Sequence, residues 1–127
     1  MSVQGVVPPR GLRQHRVGAW VRQTFGDAAM ALPERGMRLA EEAIEAAQAA
    51  GVAEHTALQI VMRVYGRKPG ELSRELGQVG VTLVALAEAA DISAEAAERS
   101  EWERVQTIKR EDFAVRHAAK VEIGIAS

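Results

Sequence analysis

The chain has no cysteine among its 127 residues, which excludes disulfides, thiolate nucleophiles and cysteine-ligated zinc. Any metal must therefore bind oxygen or histidine. The three histidines, His15, His55 and His117, have no partner four residues away, so they support neither a zinc site nor a catalytic dyad and read as surface residues. Aromatics make up only 4% of the chain, and strict apolar/polar alternation never persists, so no strand is predicted. No apolar run approaches the roughly 20 residues that a membrane helix needs. The opening MSVQGVVPPR lacks the basic-then-apolar build of a signal peptide. No membrane partner and a cytoplasmic location are the expectation.

Alanine, leucine, glutamate, arginine and glutamine, all good helix formers, dominate instead. The length suits one domain, taken as residues 11–127 behind a flexible arm over residues 1–10 that contains Pro8 and Pro9. The prediction is an all-α fold, a four- to five-helix bundle. The first helix spans 12–25, with Trp20 near its middle, and stops at Gly26-Asp27. A second starts near Pro33, favoured in a first turn, and ends at Gly51. A third covers 53–65 until the basic breaker Gly66-Arg67-Lys68-Pro69-Gly70. The fourth, 71–90, sets Leu72, Leu76, Val79, Leu83, Leu86 and Ala90 at alternating steps of four and three, a packing seam. The fifth starts at the N-cap Ser93 and runs past Lys109, with Trp102, Val105 and Ile108 on its buried side. Helix four is apolar around much of its circumference, which predicts burial on more than one side and hence an oligomer.

Net charge is −1, but the acids are concentrated. Residues 1–40 carry six arginines against Asp27 and Glu34, whereas 41–60 carry Glu41, Glu42, Glu45 and Glu54 with no lysine or arginine. A solvated helix face usually interleaves signs. The Ala-rich run around Ala43, Ala46 and Ala47 would let helix two approach helix four closely. Two oxygen pairs at i, i+3 then stand out: Glu42 with Glu45 on helix two, and Glu75 with Gln78 on helix four. Such residues share a helix face with Cβ atoms about 5 to 6 Å apart. If the two pairs faced each other they could enclose a hard cation, and Mg²⁺ is the natural candidate. The alternative is a solvated acidic face in which Glu75 pairs with Arg74 or Arg38.

Glu41-Glu42-Ala43-Ile44-Glu45, then Glu75-Leu76-Gly77 opening an apolar helix, with Trp20 to Phe25-Gly26 upstream, resemble the MazG-like all-α nucleoside triphosphate pyrophosphohydrolases. The resemblance spans roughly Trp20 to Trp102. It implies an enzyme that uses Mg²⁺, or Mn²⁺, to split a nucleoside or deoxynucleoside triphosphate into monophosphate and pyrophosphate, working as a homodimer or homotetramer. It further implies metal ligation by Glu42, Glu45, Glu75 and Gln78, with Glu41 as a supporting acid or as the base for the attacking water. Catalysis would fall to Glu41 and Glu42. The family pattern ends its second motif in aspartate where this chain has Gln78, which can ligate but brings no charge.

Arg67 and Lys68, beside Arg63 in the loop before helix four, are candidates for holding phosphates, as are Arg104 and Lys109 near the end of the chain. Trp20 is a candidate for stacking on a base, or else a core anchor. Two other readings stay open. One is a degenerate member that binds nucleotide or a partner protein without turnover. The other is a helix-turn-helix DNA binder built on Glu71–Gly77. Its recognition helix, Val81–Glu88, has no Arg, Lys, Asn or Gln to read bases, so no nucleic-acid polymer is expected as a partner.

Overall fold

Helix breakers set the order of elements. The computed structural model describes residues 9–126, so residues 1–8 of the expected arm lie outside the described residues. Helix α1, Arg10–Phe25, begins after Pro9 and stops at Gly26, whose φ of 88° is a conformation glycine adopts without penalty. A short 3-10 helix, Asp27–Met30, leads into α2, Leu32–Ala49. Gly51, with φ 97°, closes α2: its N–H donates to the Gln48 carbonyl and that of Val52 to the Ala47 carbonyl, both at 3.0 Å. Helix α3, Glu54–Tyr65, ends at Gly66, and α4, Leu72–Ala89, follows the Gly-Pro-rich loop. The expected all-α architecture holds for every described residue.

Helix α5, Ala94–Val105, is capped by Ser93, whose hydroxyl accepts from the Ala96 N–H at 3.1 Å. Ser93→Ala should lower the unfolding free energy by about 1 kcal/mol. An unchanged urea midpoint would show that the cap contributes nothing.

The fifth helix does not continue past Lys109 as expected. It stops at Val105, and a sixth, α6, covers Arg110–Glu122. No glycine or proline marks the break. Side chains make it instead: Thr107 Oγ1 donates to the Arg104 carbonyl at 2.7 Å and Gln106 Nε2 to the Trp102 carbonyl at 2.9 Å, satisfying carbonyls that a longer helix would have used.

Two compact units follow, divided at residues 43/44 and 108/109. The first holds α1, the 3-10 helix, the first two-thirds of α2, and α6. Val21 and Ala126 are its buried apolar residues, and Arg13 and Glu34 are buried with them. Trp20, Phe25 and Phe113 meet edge to face with ring centroids 5.3 to 5.8 Å apart, the favoured aromatic geometry.

The second unit, residues 44–108, contains the end of α2 with α3, α4 and α5, and close helix approach in it is that of α4 on α5. Trp102, Val105 and Ile108 are half-buried, as their spacing predicts. The α4 seam is not: Leu72, Leu76, Val79, Leu83 and Leu86 are all exposed, and no residue of this unit is fully buried. No helix among the described residues is long and apolar enough to cross a membrane.

Candidate functional site

The acidic face of α2 is built by its first unit. Glu34, Arg38 and Glu41 recur at steps of four and three, so they share one stripe of the helix. Glu34, with its side chain only 3% exposed, lies 3.9 Å from Arg38 Nε and 3.9 Å from His117 Nδ1 of α6. Arg38 reaches on to Glu41 at 3.5 Å and donates through Nη2 to the Ile125 carbonyl, which holds the C-terminal segment against α2. Burial pushes the Arg35 guanidinium below its ordinary value, offset in part by Glu34 and reinforced by Arg38; it stays charged.

Glu41 carries a second cation. Lys120 Nζ of α6 sits 2.8 Å from its carboxylate. The hydrogen bond from Lys120, opposed by partial burial and helped by the charges of Lys120 and Arg38, holds the Glu41 carboxyl below its ordinary 4.5. A carboxylate so stabilised is a weaker proton acceptor than a free one. Because the folded pKa lies below the unfolded one, the pair's stabilisation is complete above about pH 4.5 and fades as pH falls through the folded value. Lys120→Met should therefore raise the Glu41 titration midpoint toward 4.5. An unmoved midpoint in a carboxyl-resolved NMR titration would remove Lys120 as the cause.

Glu42 and Glu45 follow on the same helix at i, i+3, both exposed. On α4, Glu75 lies in the first turn, where the helix dipole favours a negative charge. Its carboxylate folds back over Gly70, filling the space that a side chain at position 70 would occupy. That turns it toward the loop that carries Arg67 and Lys68, both exposed. Gln78 is exposed one turn on, and its carbonyl accepts from Thr82 Oγ1 at 2.7 Å. Each pair thus has the oxygen donors and spacing expected.

Among the described residues, no group of three or more acids or histidines could hold a metal ion. A smaller site still fits the donors, because Mg²⁺ keeps several waters and commonly takes one or two carboxylates together with substrate phosphates.

The remaining candidates are scattered. Trp20 packs against Phe25 and Phe113, the anchor alternative of the two. Arg104 is engaged by Glu101 at 2.5 Å, and that hydrogen bond is the main reason the Glu101 carboxyl lies below its ordinary value. Lys109 is exposed at the N-cap of α6. Helix α4 runs unbroken through Gly77, where a helix-turn-helix would need its turn, so that arrangement is absent. Lys120, the cation nearest Glu41, was not found from sequence, since the two lie far apart along the chain. Comparison with models of known families, with curated proteins and with solved structures found no match.

Proposed function

We propose that this protein is a cytoplasmic, MazG-like, Mg²⁺-dependent pyrophosphohydrolase of nucleoside or deoxynucleoside triphosphates, acting as a homodimer or homotetramer. The observation that supports this best is the pair of i, i+3 oxygen sets, Glu42 with Glu45 and Glu75 with Gln78, each exposed on a helix. Glu41, next to the first pair in sequence, holds Lys120 and Arg38, and Arg67 and Lys68 stand in the loop before the second.

Glu42, Glu45 and Glu75 would ligate the metal, and Gln78 would ligate through its carbonyl oxygen. Bound Mg²⁺, or Mn²⁺, supplies positive charge for the phosphate oxygens and a more acidic water. The cations of the α3–α4 loop would hold the phosphate chain, and Glu41, or Glu42, would accept the proton of the attacking water. That water adds to the α-phosphorus, the bond from the α-phosphorus to the oxygen bridging to the β-phosphorus breaks, and pyrophosphate leaves with those electrons. The products are nucleoside monophosphate and pyrophosphate. Turnover in ¹⁸O-water should place the label in the monophosphate. Label found only in pyrophosphate would mean attack at the β-phosphorus and end this reading.

The neutral Gln78, together with the lack of a metal-holding group of three acids or histidines among the described residues, favours a second reading. In it the protein binds nucleotide or a partner protein without cleaving anything. It differs by one result: binding of a triphosphate with no product.

A further inference from the structure

We propose that Gly70 is a positioning residue for Glu75: the missing side chain at 70 lets the Glu75 carboxylate lie against the α3–α4 loop, the direction in which it ligates. The inference rests on the proposed reading of Glu75 as a metal ligand and deepens it. It draws on residues 66–75 alone, all within one compact unit.

Backbone conformation does not explain a glycine here. Gly26, Gly51 and Gly124 have positive φ, where a side chain would be strained, and Gly70 does not. An alanine at 70 would keep the chain path, and such an exchange ordinarily favours the folded state because it restricts the unfolded chain. The space is what an alanine could not keep. Its Cβ would lie 3.2 Å from Glu75 Cδ and closer still to Oε1, so the carboxylate would have to leave. Among the described glycines, Gly70 alone is one where an added Cβ meets a side chain within 3.4 Å.

The open space gives Glu75 a direction. Its N–H donates to the Glu71 carbonyl at 3.0 Å in the first turn of α4, so the backbone is fixed and only the side-chain torsions vary. The other acid at this end, Glu71, is engaged by the Ser73 hydroxyl, which donates to its carboxylate at 2.6 Å. With its carboxylate over Gly70, Glu75 faces the loop that carries Arg67 and Lys68. A cation held there stands beside the groups that hold its phosphates. A ligand that already points the right way loses less freedom on binding, and a side chain at 70 removes that rotamer.

Mg²⁺ titrated calorimetrically into the full chain, without nucleotide, tests this. Gly70→Ala should weaken binding about tenfold, within the range that loss of a ligand's outer support costs, with helicity by circular dichroism unchanged. In a Glu75→Gln background the same exchange should alter binding by less than about twofold, because the group it acts through is gone. A loss that persists in that background would make Gly70 a merely structural residue and overturn the proposal. So would a Gly70→Ala chain that binds Mg²⁺ as tightly as the unaltered one or more so, or one that loses helicity. Weaker binding in Glu75→Gln without a loss in Gly70→Ala removes the inference and leaves the proposed function standing. Unchanged binding in Glu75→Gln ends the inference together with the assignment of the metal to α4.

Discussion

Glu75→Gln should lower pyrophosphate release by more than the roughly 100-fold that loss of an outer partner costs a metal site, with helicity unchanged. Glu42→Gln should do the same. The reason for a large effect at Glu75 is local: its partner at i+3, Gln78, is neutral, so Glu75 supplies all the charge of the α4 pair. Replacing it with an amide of the same shape leaves two carbonyl oxygens and no charge against a dication. Glu75 is exposed, with its carboxylate over Gly70, so the helix should survive. The converse change, Gln78→Asp, should tighten Mg²⁺ binding by about tenfold or more, because it adds a second carboxylate to the same face. Full activity in Glu75→Gln, or looser Mg²⁺ binding in Gln78→Asp by calorimetry, would mean that α4 does not hold the metal.

The second large effect concerns stability. Glu34→Ala should destabilise the first unit by on the order of 3 kcal/mol, since removing one partner of a buried pair leaves an uncompensated charge. Glu34 is 2% exposed and faces Arg38 and His117, with Arg35 beside it. The partial exposure of Arg38 and His117 keeps the expected loss at the low end for such a pair. Glu34→Gln, which keeps the volume and some hydrogen bonding, should cost less. Trp20 fluorescence reports on this unit if Trp102 is first replaced by Phe. A midpoint in urea that does not move would show that the Glu34 stripe contributes nothing net.

Much of the helical order was legible because glycine and proline do the punctuating: Gly26, Gly51 and the Gly66–Gly70 loop end helices where their backbone chemistry requires it. The α5–α6 break was not, because Thr107 and Gln106 make it with side-chain hydrogen bonds to carbonyls, and such bonds leave no mark in composition. The apolar pattern of α4 led to the expectation of a packing seam, yet its leucines and Val79 are exposed: a pattern says which face is apolar and not what covers it. The acidic stripe of α2 was visible in sequence as Glu41, Glu42 and Glu45. Its cations were not: Lys120 comes from α6, and only the folded first unit brings it to Glu41.

The most direct test of the proposed function is to incubate the purified protein with Mg²⁺ or Mn²⁺ and a panel of ribo- and deoxynucleoside triphosphates and to separate the products by chromatography. The account predicts equal amounts of monophosphate and pyrophosphate from at least one triphosphate, lost on adding a chelator. No product from any of them, with nucleotide binding intact by calorimetry, would contradict it and leave a nucleotide-binding protein without hydrolytic activity.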